Sequence, residues 1–361
     1  MQILKEMPER IPMDGTFELT VRCNLKCKMC LFRHDDSENE EIIKNERTAE
    51  EWIDIARQVA EVGTFNLLIT GGEPMLRKDF CEIYEGIYKQ GFMLTLYTNA
   101  TLVTPKVMET LRKYPPHRIG VTIYGASEET YEKVCGNGKA FNRAIEGMKL
   151  LSSLPSILEF RTTIIKDNYH DIDAIEEIVH REFGEDKTLT QTRMVNKAVR
   201  GACADVESCR LSPQENVKLY FRRGINKMQN IVGKDKFDIN KIKFEIEKQE
   251  INNSKPRITL FGCNAGMKSY TISWDGKLLG CQMLGNFYTK PFEKNFTFAW
   301  GEYPKNVNID KLNDKCIKCK NSELCGSCYA SRYAETGELG GAPKYACEDV
   351  KEQLRFLKMK G

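Results

Sequence analysis

Cys23, Cys27 and Cys30 place three thiols within eight residues, spaced C-x3-C-x2-C. That spacing suits a short loop wrapping one face of a metal centre. Cysteine thiolates are the usual ligands of iron–sulfur clusters, and a four-iron cluster takes four of them. Three neighbouring thiols therefore leave one iron open, unless a distant Cys closes it. An open position is what separates a catalytic metal site from a structural one. A structural zinc knuckle is the alternative that spacing alone allows.

The elements around the triad are those a cluster loop needs. The strand-like run Thr16–Val21 precedes it. A charged, flexible stretch from His34 to Arg47 follows, and Thr48 with Glu51 reads as a capping box opening a helix with Trp52, Ile55, Ala56 and Val59 at helical spacing. The apolar strand Phe65–Thr70 leads directly into Gly71-Gly72-Glu73-Pro74. Glycines there let backbone amides and carbonyls approach a ligand closely.

Further strand and helix segments alternate: Phe92–Thr98, Pro105–Lys113, Arg118–Tyr124, Lys139–Leu151, Ile157–Ile165, Ile172–Glu182 and Thr188–Val195. Six β-then-α units in series predict a parallel sheet with helical crossovers, as an open doubly wound sheet or a partial barrel. In barrels, chemistry gathers at the C-terminal ends of the strands. The three thiols, Gly71–Pro74, Asn99 and Tyr124-Gly125 all fall there.

The last hundred residues carry a second cysteine pattern. Cys263 and Cys281 flank a hairpin-like segment, Ser269–Leu279, with Asp275-Gly276 as its turn dipeptide. Cys316, Cys319, Cys325, Cys328 and Cys347 follow. By spacing alone, C-x2-C…C-x2-C also reads as a zinc ribbon.

Composition narrows the classes. Fourteen Cys against four His argue against a His-based metal site, and tight C-x-x-C groups argue for metal or redox chemistry in a reducing compartment. Lys plus Arg (54) nearly cancels Asp plus Glu (51), so no global field favours nucleic acid or membrane. There is no run of eighteen apolar residues and no apolar signal core, so the expected location is cytoplasmic.

Taken in order, C-x3-C-x2-C and Gly71-Gly72-Glu73-Pro74 resemble the cluster and methionine-binding motifs of radical S-adenosylmethionine (radical SAM) enzymes. The resemblance implies a partial (β/α)6 TIM-like barrel. It also implies an open iron chelated by S-adenosylmethionine (SAM), whose cleavage yields a hydrogen-abstracting 5′-deoxyadenosyl radical. Gly71, Gly72, Glu73, Pro74 and Asn99 would then bind cofactor, with Glu73 near the methionine amino group. Thr122 matches a polar strand-four residue that meets the ribose or carboxylate. Arg161 is a candidate carboxylate partner, because guanidinium pairs bidentately with carboxylates.

The seven C-terminal thiols resemble the SPASM domain of radical SAM peptide-modifying enzymes, with one departure: Cys325 and Cys328 are separated by two residues where three are common. That resemblance implies two auxiliary [4Fe-4S] clusters, three clusters in all. Cys316, Cys319, Cys325 and Cys347 would hold the outer one, and Cys263, Cys281 and Cys328 the inner one. Either its eighth ligand is missing, leaving an open iron, or Cys203 or Cys209 supplies it.

The expected organisation is a barrel over residues 1–200, a bridge over 201–262, the SPASM domain over 263–347 and a helical tail over 348–361. About fifteen residues precede strand one, so the peptide-recognition module that often precedes such barrels is expected to be absent. The implied function is modification of a ribosomally made precursor peptide by hydrogen abstraction, giving a thioether or C–C cross-link or an epimerised residue. Electrons would come from a donor such as flavodoxin or ferredoxin. Cys135, Cys203 and Cys209 are candidate hydrogen donors for epimerisation. A sulfatase-type maturase and a small-molecule dehydrogenase are the enzymatic alternatives, and a zinc-binding structural protein is the non-enzymatic one.

Overall fold

The structure, a computed structural model, describes residues 10–193, 195–197, 199–200, 203–233, 261, 263–307, 312–322 and 324–359. The reading of residues 235–250 as a solvated helix or covering loop lies outside these. Two compact units divide the chain: residues 1–210 with 259–308, and residues 211–258 with 309–361.

The first unit is built on one sheet. Strands β1 (Asp14–Glu18), β2 (Asn66–Thr70), β3 (Met93–Thr98), β4 (Arg118–Thr122), β5 (Ile157–Thr163) and β6 (Leu189–Thr192) pair in parallel, each with the next in the chain. Parallel neighbours require long crossovers, and helices supply them. In chain order these helices, with their neighbours, are α1 (Asn39–Asn45), α2 (Ala49–Glu61), α3 (Phe80–Tyr88), α4 (Pro105–Lys113), α5 (Glu128–Cys135), α6 (Ala140–Ser152), α7 (Ile172–Phe183) and α8 (Val206–Cys209). The six-unit α/β architecture is the expected one.

Side-chain alternation makes two faces of the sheet. Leu67, Ile69, Leu94, Leu96, Ile119 and Val121 are fully or almost fully buried. Phe17 of β1 meets Trp52 of α2 on that side, ring centroids 5.1 Å apart. The other face carries Thr95, Tyr97 and Thr122, all half-buried. Helix starts follow local rules: Thr48 and Glu51 form the expected capping box, and Thr104 caps α4 with Pro105 in its first turn.

The stretch after the cysteine loop departs from expectation. Residues 34–47 are not simply flexible: a 3-10 turn over Asp36–Glu38 runs into α1. Asp35 and Glu38 form a capping box, and Ile42 is buried, which repays the ordering of a charged segment.

β7 (Ser269–Ile272) forms the expected hairpin with β8 (Leu278–Leu279), and β9 (Tyr288–Thr289) follows antiparallel. β7 also pairs in parallel with β1, so the hairpin extends the barrel sheet to the order β6-β5-β4-β3-β2-β1-β7-β8-β9. Helix α9 (Pro213–Val232) opens the second unit. α10 (Phe296–Glu302) belongs to the first unit, and α11 (Asp314–Ile317), α12 (Tyr329–Thr336) and α13 (Lys344–Met359) to the second. Within the second unit, Phe221 stacks on Phe356 at 4.7 Å, and buried Asn216 donates to Asp349 at 2.7 Å.

Candidate active site

The cysteine loop and the glycine turn are joined through backbone. Leu19 N donates to Thr70 O (3.0 Å), Gly72 N to Thr20 O (2.8 Å) and Glu73 N to Arg22 O (2.9 Å). A Cβ on Gly71 would lie 2.3 Å from Thr20 O, and one on Gly72 2.3 Å from Arg22 O. Gly71 also sits at φ +152°. Glycine is therefore required at both positions by the chain beside them.

Just beyond this seam, Cys23, Cys27, Cys30, Gly71, Gly72, Asn99 and Thr122 line one cavity of about 250 Å³. Its wall also holds Tyr97 and Tyr124. The chemistry of the donor set fits an iron–sulfur cluster. Burial pushes the Cys30 thiol up to about 11 and raises that of Cys23; a hydrogen bond with Cys135, then burial, raises that of Cys27. Thiols so disposed become thiolates only against a strongly positive centre. Among the described residues, no three His, Cys, Asp or Glu side chains converge on a single ion. Cluster ligands need not, because each holds a different iron.

Glu73 is wholly buried and does not line the cavity. Its carboxylate accepts from Met75 N (3.1 Å), Thr98 Oγ1 (2.9 and 3.0 Å) and Asn99 N (2.7 Å). Desolvation pushes this carboxyl up to about 7 against those donors. Pro74, also buried, starts the next 3-10 turn. The geometry gives Glu73 the work of tying the glycine turn to the end of β3. Asn99 then reaches the loop: its Nδ2 donates to Asn24 Oδ1 (3.0 Å) and lies 3.8 Å from Cys23 Sγ.

A second clamp was not singled out from sequence. Glu46 accepts from Thr20 Oγ1 and, in a fork, from Arg22 Nε and Nη2 at 2.9 Å each. Arg77 stands 3.5 Å from Glu46 and donates to Leu19 O and Arg47 O. The residues entering the cysteine loop are thus held by buried charge. The signal available in sequence was Arg22 directly before Cys23, an ionisable side chain at a position the fold buries.

The remaining candidates separate. The Arg161 guanidinium lies 4.5 Å over the Tyr97 ring and bonds its hydroxyl, and it is not on the cavity wall. Cys209 is buried in the core, its Sγ on Val206 O at 3.3 Å. Cys203 is exposed, its amide donating to Arg33 O at 2.6 Å. Cys135 is fully buried beside Cys27.

Of the C-terminal thiols, Cys263 and Cys281 belong to the first unit. In the second, burial raises the Cys347 thiol, and Cys325, Cys316 and Cys319 act on it in the same direction. Arg332 Nη1 donates to Cys316 Sγ at 2.9 Å and to Gly341 O at 2.9 Å. Cys328 caps α12, its sulfur accepting from Ser331 N at 3.4 Å. No described helix is long and apolar enough to cross a membrane.

Residues 17–179 match the sequence model of the Radical SAM superfamily. The chain is 27% identical over 339 residues to the AdoMet-dependent heme synthase of Methanosarcina barkeri, covering 89% of this chain and 92% of that protein. It is 25% identical to the antilisterial bacteriocin subtilosin biosynthesis protein AlbA of Bacillus subtilis, covering 94% and 73%. In fold it is similar to Streptococcus suis SuiB bound to S-adenosylmethionine (TM-score 0.66, 18% identity, 95% and 79% covered). It is similar also to anSMEcpe with bound AdoMet (0.65, 15%, 97% and 98%). Residues 17–179, which carry the three thiols and the glycine turn on one cavity wall, thus form a domain of the radical SAM superfamily, which implies SAM and a [4Fe-4S] cluster.

Proposed function

We propose that this enzyme cleaves SAM in the cavity walled by Cys23, Cys27, Cys30, Gly71 and Gly72, and that the 5′-deoxyadenosyl radical takes a hydrogen atom from a peptide, a ribosomally made precursor. The observation that carries the cleavage reading is the seam that brings three thiols and a glycine turn to one cavity. When bound, the cluster supplies the single electron for that cleavage. The chain's part is to hold three irons through Cys23, Cys27 and Cys30 and leave the fourth open. Glu73 fixes the turn that offers Gly71 and Gly72 to the methionine end, and Thr122 and Asn99 are the polar contacts. Arg161, seated on Tyr97, orients that ring rather than meeting a ligand.

The peptide reading is supported by likeness to AlbA, a protein of subtilosin biosynthesis. A fold shared with SuiB, solved with its precursor peptide SuiA, is consistent with it. The product would be a thioether or C–C cross-link or an epimerised residue. Cys316, Cys319, Cys325 and Cys347 are the ligands we assign to an outer auxiliary cluster. Cys263, Cys281 and Cys328 are assigned to a third by sequence order alone. These clusters would accept the electron that cross-linking releases, and a donor such as flavodoxin or ferredoxin would supply the electron for SAM cleavage.

A second reading, an iron-tetrapyrrole substrate, is favoured by the likeness to the heme synthase. One experiment separates them. Anaerobically reconstituted enzyme with dithionite and SAM is offered either candidate precursor peptides, any small peptide encoded beside its gene first, or iron-coproporphyrin III. Formation of 5′-deoxyadenosine above the substrate-free rate, with a modified peptide by mass and chiral analysis, is expected. Stimulation by the tetrapyrrole alone would overturn the peptide assignment.

A further inference from the structure

We propose that Arg332 is the buried counter-charge of the outer auxiliary cluster and, acting through the Cys316 sulfur, raises that cluster's reduction potential. This rests on the assignment of Cys316, Cys319, Cys325 and Cys347 to one cluster. Arg332 lies on α12 and is only 9% exposed. Its Nη1 donates to Cys316 Sγ and to Gly341 O, at 2.9 Å each. Among the described residues no carboxylate pairs with it. A guanidinium keeps its charge in a protein, and a buried charge is costly without an opposite one. Of its two partners, only the Cys316 sulfur can carry a negative charge. The contact therefore fits a thiolate at Cys316, the form in which cysteine ligates iron.

Backbone brings the segments that carry the four thiols to the same place. Cys316 N donates to Asn313 O (2.8 Å), Cys319 N to Cys316 O (3.3 Å), Ser322 N to Cys319 O (3.2 Å) and Cys325 N to Ser322 O (3.2 Å). Each bond closes a turn, so the chain coils tightly from Cys316 to Cys325. A further tie joins this coil to the chain that leads to Cys347. Asn313 N donates to Gly340 O at 2.9 Å, one residue from the carbonyl that Arg332 holds, and α13, which carries Cys347, begins at Lys344.

Arg332 is itself held in place. Its carbonyl accepts from Thr336 Oγ1 at 2.8 Å, and a Cβ at Gly341 would collide with that same oxygen. The turn at Gly341 thus packs directly on the end of α12.

The guanidinium on Cys316 bears on electron transfer. Reduction adds negative charge to a cluster, and a cation with an N–H···S bond stabilises the reduced state. In a buried site both effects are stronger than in water. Cys23, assigned to the radical cluster, meets neutral donors instead: Leu25 N at 3.4 Å and Asn99 Nδ2 at 3.8 Å. A raised potential suits a cluster that receives the electron released on cross-linking. Arg332 is thus a positioning residue for that electron acceptor.

The test is an EPR-monitored redox titration of the full chain, reconstituted without oxygen, with iron and zinc counted per chain. The outer cluster's signal is the one lost in Cys347→Ala and unmoved by adding SAM. Arg332→Met removes charge and hydrogen bonds, and Arg332→Lys keeps the charge. The midpoint potential of that signal is expected to fall in Arg332→Met and to fall less in Arg332→Lys, while the SAM-responsive signal keeps its wild-type potential. Loss of that cluster's iron in Arg332→Met, with retention in Arg332→Lys, would also support the counter-charge. A wild-type potential in Arg332→Met would overturn the proposal. So would iron lost equally from both variants, which would make the arginine structural only. If Arg332→Met does not fold, Arg332→Gln, which keeps N–H donors and loses the charge, carries the same expectation. Zinc in place of that iron in the wild type, or no signal lost in Cys347→Ala, would instead overturn the auxiliary-cluster reading, and the proposal with it.

Discussion

The Gly72 amide donates to the Thr20 carbonyl at 2.8 Å, and through that bond the glycine turn is continuous with the loop that carries Cys23, Cys27 and Cys30. Neither motif can shift alone. A Cβ at Gly72 would fall 2.3 Å from Arg22 O and 2.5 Å from Val21 O, both rigid backbone. Gly72→Ala should therefore destabilise the chain by about 1–3 kcal/mol, the usual cost of overpacking. It should also lower the iron retained after reconstitution. Chemical denaturation and iron assay check both, and wild-type values for each would refute the seam's importance.

The Glu46–Arg22 fork is nearly buried on both sides, with side chains 7% and 16% exposed. Removing one partner of such a pair leaves an uncompensated charge, at a cost of about 3–5 kcal/mol. Glu46→Ala should show that loss in a urea titration, together with weaker iron retention. A change in stability without any change in iron would make the clamp structural only.

Glu73 gives a pH signature. Its folded-state value of about 7 lies above the ordinary 4.5, so the folded chain binds this proton more tightly than the unfolded one. The stabilising contribution is complete below about pH 4.5, declines as pH rises and is gone above about 7. Unfolding free energy measured from pH 5 to 8 should contain this fall, and Glu73→Gln should lack it. An identical slope in wild type and variant would show that Glu73 titrates where ordinary glutamates do.

The sequence carried the main architecture because each of its devices is local. Thr48 and Glu51 announce α2, Pro105 announces α4, and alternation around Leu94, Leu96 and Tyr97 announces β3. What escaped reading depends on distant chain. Glu46 binds Arg22 only because α1 brings it back to the loop; the Asp35–Glu38 box caps the 3-10 turn that runs into α1, and α1 buries one residue, Ile42. The pairing of Ser269–Ile272 with β1 joins residues some 250 apart, which no local pattern encodes. Cys135 was legible as a thiol after strand four; its approach to Cys27 was not, because it needs the helix end stitched to the loop.

The C-terminal thiols allow a separate check. Cys347 is the thiol assigned to the outer auxiliary cluster together with Cys316, Cys319 and Cys325. Cys347→Ala should remove up to about four irons per chain, the content of one cluster. Reductive SAM cleavage without substrate should persist at least in part, while substrate modification is impaired. Unchanged iron and unchanged modification would remove the auxiliary cluster from that position.

The central claim is that Cys23, Cys27 and Cys30 hold the cluster that cleaves SAM. The direct measurement is 5′-deoxyadenosine formed from SAM by anaerobically reconstituted, dithionite-reduced protein, wild type against Cys27→Ala. The account predicts product from wild type and none above background from Cys27→Ala. Cleavage retained in Cys27→Ala would contradict it.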